Sequence, residues 1–213
     1  MEKQFGTCKL SNPVFTTLHQ PLPSIRAASY SQRQDADGWS KGPDHEVEMN
    51  AERICKASHS DPVVRATCLF LALLVASLLQ GKNAEGVPLT GLLRELMEKV
   101  EEKLHDKNEK ESFQAAFHIP DERYPHGCDV LTTLRLLVLA VSSEHLDFKK
   151  HITQIVMQGG EGACVHGGVV GGILGLILGY TNLPQDWLSQ LAQENRKFMN
   201  TKLNLLLDLF GLP

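Results

Sequence analysis

The stretch from Val63 to Gln80, VVRATCLFLALLVASLLQ, has no charge after Arg65 and is apolar on nearly every side when wound as a helix. A helix without a polar stripe must be surrounded, so this segment demands a bundle of other helices around it. Its unbroken apolar part, the twelve residues from Cys68 to Leu79, is too short to span a bilayer, and burial in protein is the expected solution. The preceding turn fits a helix start. Asp61 can accept hydrogen bonds from free amides, and Pro62 suits the first helical position, where no amide is needed.

The partners for such a helix are readable on both sides of it. EVEMNAERICKAS, residues 46–58, places Val47, Ala51, Ile54 and Cys55 on one face. Leu89, Leu92, Leu93, Leu96, Val100 and Leu104 form a second stripe, with charged residues over the rest of that helix facing water. HDKNEKES, residues 105–112, reads as a polar connection. Asp129 is placed to cap VLTTLRLLVLAV, a further buried helix. HLDFKKHITQIVMQ, residues 145–158, is expected to be helical until Gly159 and Gly160 stop it.

A glycine-rich helix and a last segment, Pro184 to Phe210, complete the chain, with Pro184 and Trp187 fixing the start of the last helix and Leu188 and Leu191 turned inward. No run alternates with period two, so the predicted fold class is all-α, with six or seven helices. Residues 1–45 hold most of the turn formers, among them Pro13, Pro21, Pro23, Gly38, Gly42 and Pro43, and are expected to be irregular and partly disordered. The helical domain is assigned to residues 46–213.

Charge and cysteine content exclude several classes of partner. With a net charge of −4 and scattered lysines and arginines, there is no electrostatic footprint for nucleic acid or an anionic membrane. The five cysteines are far apart and form no CxxC pair, which argues against a disulfide framework or a structural zinc site and for a reducing, cytoplasmic setting. The first residues, MEKQFGTCKLSNPVF, lack the apolar core of a signal peptide.

Residues 159–179 contain nine glycines in 21 positions. Gly171, Gly175 and Gly179 recur every fourth position, which in a helix would make a face without side chains that another helix could approach closely at the centre of the domain. GxxxG spacing also occurs in membrane helices, but the glycine content and the absence of basic flanks favour the soluble reading. Ahead of this helix, Gly159-Gly160-Glu161-Gly162 can present backbone amides at a helix start, an arrangement suited to a phosphate or diphosphate. Together with His166 these four residues form the candidate ligand-binding set. Cys164, near the same helix start, could be a nucleophile, but no histidine and carboxylate partners can be identified for it.

Three stretches, CDVLTTLRLLVLAV at 128–141, HITQIVMQGGEG at 151–162 and GGILGLILGYTNLPQDWL at 171–188, resemble the C-terminal portion of ADP-ribosylglycohydrolases and the related J-type crystallins. ASHSDPVVRATCLFLALLVASLLQG at 57–81 resembles the family's Thr-His-x-Asp helix start and the apolar helix that follows it. The resemblance covers roughly residues 50–190 and implies an orthogonal all-α bundle, present here in part. Active members hydrolyse ADP-ribose linkages with two magnesium ions held by acids from both halves of the protein, and the C-terminal share comes from a Gly-Gly-Asp-x-Asp-Ser/Thr motif.

At the matching positions this chain has Gly159-Gly160-Glu161-Gly162-Ala163-Cys164, which leaves Glu161 as the sole metal candidate of the motif. Magnesium takes near-octahedral oxygen coordination, so a methyl group and a thiol are two donors lost. No Gly-Asp-Ala-x-Gly or Ser/Thr-Asp-Asp-Thr stretch occurs in residues 1–50. The resulting expectation is a catalytically inactive family member that keeps ADP-ribose or nucleotide binding and needs no cofactor, with a protein partner or self-association left open. Two alternatives stand beside it. One is an active hydrolase using Mg2+, Glu161 and a second acid such as Asp61 or Asp129; the other is a crystallin-like structural protein without a ligand.

Overall fold

The computed structural model describes residues 43–82, 88–118, 124–143 and 145–210. Among these residues every regular element is helical. There are nine α-helices: α1 (Pro43–Lys56), α2 (Pro62–Leu79), α3 (Leu89–Glu101), α4 (Lys107–Gln114), α5 (Val130–Val141), α6 (Phe148–Met157), α7 (Ala163–Leu178), α8 (Gln185–Gln190) and α9 (Gln193–Phe210), with one 3-10 turn at Tyr180–Asn182. The all-α expectation holds, with more helices than the six or seven predicted. The irregular segment predicted over residues 1–45 lies almost wholly outside the described residues.

α2 occupies the middle of the bundle, and α1, α3, α4, α5 and α7 all pack on it. Every residue from Ala66 to Leu78 is buried, as an all-round apolar helix requires. By length and composition α2 could also cross a membrane, but here its surface is covered by these five helices. Asp61 caps it by accepting from the Val64 amide at 2.9 Å.

α1 starts at Pro43, three residues before the predicted Glu46, because proline is at home at a helix start and Asp44 and Glu46 favour the positive end of the helix dipole. Val47, Ala51 and Cys55 face the core. The charged side of α3 does not simply face water. Lys99 pairs with Asp44 and Glu48, both at 3.0 Å, and Lys103 pairs with Glu48 at 2.7 Å, so the two lysines clamp α3 to α1. Burial works to raise the Glu48 carboxyl, but hydrogen bonds from Lys103 and Lys99 outweigh it and hold Glu48 below the usual range.

The predicted polar connection at 105–112 is instead mostly helix. Asp106 accepts from the amides of Asn108 (2.8 Å) and Glu109 (3.3 Å) and so starts α4. Phe113, just beyond the polar window, anchors it in the core. The Phe113 and Phe117 rings stand edge-on to Phe70 of α2 at centroid distances of 6.3 and 5.0 Å. One fully buried aromatic suffices to hold a short polar helix whose periodicity is otherwise silent.

Asp129 and Asp147 cap α5 and α6 through the amides of Thr132 and Lys150. α7 packs beside α5 and α6 and reaches α2, at the flank of the bundle rather than its centre. Its glycine stripe is closely approached only in part. A Cβ at Gly171 would sit 3.4 Å from Ile152 and 3.8 Å from Phe148, whereas one at Gly175 or Gly179 would meet nothing within 4 Å.

At the C-terminal end α8 docks through Trp187, edge-on to Phe148 at 6.3 Å, with Lys149 over its ring and paired with Asp186. Leu188 is half-buried, but Leu191, predicted to turn inward, is 44% exposed because the chain leaves the bundle there. α9 follows with Phe198, Met199, Leu203, Leu205 and Leu209 all exposed.

Candidate functional site

The loop between α6 and α7 is built by backbone geometry. Gly159 and Gly160 adopt φ of 66° and 80°, the left-handed region that glycine enters without steric cost, and a Cβ on either would meet nothing within 4 Å. The chain thus reverses away from α6 with both positions open. Glu161 follows and is exposed; Gly162 then takes the N-cap position of α7 with no side chain to satisfy the first amides. The first α7 bond runs from the His166 amide to the Gly162 carbonyl, at 2.9 Å. The start of α7 lies at the positive end of its dipole, and no side chain caps it.

Under this loop lies His166, only 4% exposed. Its Nε2 is 2.9 Å from the Gly127 carbonyl, which can only accept, so Nε2 carries a proton. In the neutral ring Nδ1 then accepts from the buried Thr133 hydroxyl at 2.8 Å. His166 therefore joins the turn at Gly127 to α5 and α7, and both ring nitrogens are engaged beneath the loop rather than on its open side. Gly162 is what lets the ring in: a Cβ there would stand 2.4 Å from Nε2 and 2.7 Å from the Gly127 carbonyl oxygen.

Among the described residues, the two acids that the sequence offers as partners for Glu161 around a metal are otherwise engaged. Asp129 accepts from the Thr132 amide (2.9 Å) and hydroxyl (2.6 Å), one on each oxygen. Burial works to raise its carboxyl, and these bonds, with neighbouring amides, overcome that and hold it low. Asp61 caps α2. Among the described residues no three His, Cys, Asp or Glu side chains stand close enough to hold a metal ion. Ala163 is buried and Cys164 exposed at the positions where the resemblance implies an acid and a hydroxyl. Among the described residues, the donor set around the loop does not fit a magnesium centre.

A second buried histidine was not legible in the sequence. His151 on α6 is 3% exposed; its Nδ1 lies 2.5 Å from the Tyr124 hydroxyl and its Nε2 3.0 Å from Ser143 Oγ. Ser143 Oγ lies 2.9 Å from the carbonyls of Ala140 and His145, which can only accept, so its single proton is directed toward them and Oγ accepts the hydrogen bond from Nε2–H, an arrangement that does not activate it as a nucleophile. The three residues fasten α6 to the end of α5 and to the segment around Tyr124. Their separations of 8 and 27 residues match no helical or motif spacing, and no pattern of residue types announced them.

Burial, assisted by Lys150, holds the His151 pKa below its ordinary 6.5 against opposing effects of Asp147 and the His145 backbone. The folded state therefore prefers the neutral ring. This contribution to stability is fully present above pH 6.5 and is lost as pH falls through the lowered folded value. Urea midpoints measured from pH 7.5 down to 5 are expected to decrease, and His151→Gln should flatten that decline. An unchanged pH dependence in the variant would show that His151 does not carry it.

The fold and the loop define an all-α bundle in which a glycine turn opens a helix over a buried, fully bonded histidine. The ADP-ribosylglycohydrolase family model matches residues 36–212, and the chain belongs to that family. No curated protein and no solved structure matches it.

Proposed function

We propose that this family member binds the diphosphate of ADP-ribose or a related nucleotide on the Gly159–Gly162 loop and does not hydrolyse it. The observation that carries this reading is the contrast within the loop. The start of α7 has no side-chain cap and is screened by no side chain at Gly159 or Gly160, while among the described residues no acidic cluster joins the exposed Glu161 around a metal. An anion can be bound by the amides of such a helix start without a metal, so the binding needs no cofactor. A cytoplasmic location accords with this ligand and with the scattered cysteines.

Calorimetry on the full chain with ADP-ribose should give saturable binding that is unchanged by magnesium. Gly160→Val is expected to weaken it roughly tenfold or more, because a β-branched residue cannot hold the positive φ and each lost charge-assisted amide contact is worth about 1.5–3 kcal/mol. Incubation with ADP-ribosylated protein and magnesium should release no ADP-ribose. Release that Glu161→Ala abolishes would replace this reading with an active hydrolase, and absence of binding would replace it with a structural, crystallin-like role.

A further inference from the structure

We infer that the cavity between α3, α4 and α5 is a binding site for an apolar monocarboxylate, separate from the glycine loop. The cavity is about 480 Å3, within the range of small-molecule pockets. It opens at the C-terminal end of α5, beside Val138 and Ser142, whereas the glycine loop meets that helix near Thr133. Nine residues of helix, about 14 Å, separate Thr133 from Ser142.

Its composition is divided. Leu93 and Val138, both buried, and the half-buried Phe117 ring form an apolar floor. The rim carries Thr90, Arg94, Gln114, His118 and Ser142, all exposed, and among the described residues none of these side chains bonds to another protein group. Arg94 is distinctive among the basic residues of its helix. Lys99 of α3 is neutralised by Asp44 and Glu48, whereas among the described residues Arg94 has no acidic partner and no acid lines the cavity.

One unpaired guanidinium above an apolar floor, flanked by hydroxyls and an amide, matches a carboxylate head on an apolar body. The fork of Arg94 can take both carboxylate oxygens, and the hydroxyls of Thr90 and Ser142 can donate to them.

The test is calorimetric titration of the full chain with decanoate, with 1-decanol as the uncharged analogue. Decanoate should bind saturably and at least tenfold more tightly than decanol. Arg94→Gln should remove that preference, and Ser142→Trp, a change at an exposed position, should block both ligands. The double change Leu203→Ser with Leu209→Ser on exposed α9 should leave decanoate binding intact. No saturable binding, equal affinity for acid and alcohol, insensitivity to both rim variants, or loss on changing α9 would each overturn the assignment.

Discussion

Valine in place of Gly162 is expected to destabilise the protein by about 2–6 kcal/mol and to abolish binding at the glycine loop. The new Cβ would lie 2.4 Å from His166 Nε2 and 2.7 Å from the Gly127 carbonyl oxygen, and neither neighbour can easily yield. The ring is held by two hydrogen bonds inside the fold, and the carbonyl is main chain. Overpacking costs about 1–3 kcal/mol, and separating His166 from Gly127 leaves buried polar groups unsatisfied at about 1–3 kcal/mol more. At about 2–4 °C per kcal/mol for a chain of this size, the melting temperature should fall by roughly 4–24 °C.

Gly172→Ala in the same helix is the contrasting case. Its Cβ meets nothing within 4 Å, and removing a glycine from a helix interior contributes up to about 1 kcal/mol of stability. Thermal melts should therefore move in opposite directions for the two variants, and ADP-ribose binding should survive only in Gly172→Ala. Equal shifts would contradict the close approach at Gly162.

These two glycines also mark how far the sequence could be read. Glycine at every fourth position suggested one packed face, but a sequence pattern cannot say which side of a helix its neighbours occupy. α6 lies against Gly171, and nothing lies against Gly175. The helices legible beforehand were those with strong local signals. The apolar run of α2 and the capping acids Asp61 and Asp129 act within a few residues, and each is found in its expected role. α4 escaped notice because its single anchor, Phe113, draws its stability from Phe70 and Phe117 rather than from periodicity.

The same division applies to the candidate site. Gly159 and Gly160 stop α6 as their residue type predicts, with positive φ. Glu161 remains exposed, while His166, grouped with the loop on proximity in sequence, belongs to the support beneath it. That distinction depends on Gly127 and Thr133, 39 and 33 residues away, and long-range partners of this kind leave no local trace. Residue identity alone says that Ala163 and Cys164 offer magnesium a methyl group and a thiol in place of oxygen donors.

Phe70→Ala should be comparably damaging to Gly162→Val, by about 3–5 kcal/mol. Phe70 is fully buried in the central helix, and its ring meets Phe117 and Phe113, which are themselves edge-on to each other at 5.3 Å. Truncation removes two of the three aromatic contacts and opens a void that a backbone packed by five other helices cannot close. Since domains are stable by only about 5–15 kcal/mol, this is a large fraction of the total. The urea midpoint should fall sharply with little change in slope, whereas Leu176→Ala, at a side chain 41% exposed, should shift it little. Combined with Phe113→Ala, the loss should be less than the sum of the single effects, because the second substitution removes a ring whose partner is already gone. The damage should also reach the carboxylate cavity through Phe117, which touches Phe70 on one side and lines that cavity on the other. In Phe70→Ala, decanoate affinity is therefore expected to decline while the protein is still folded, and affinity equal to that of the unsubstituted protein would show that the floor does not depend on the aromatic trio.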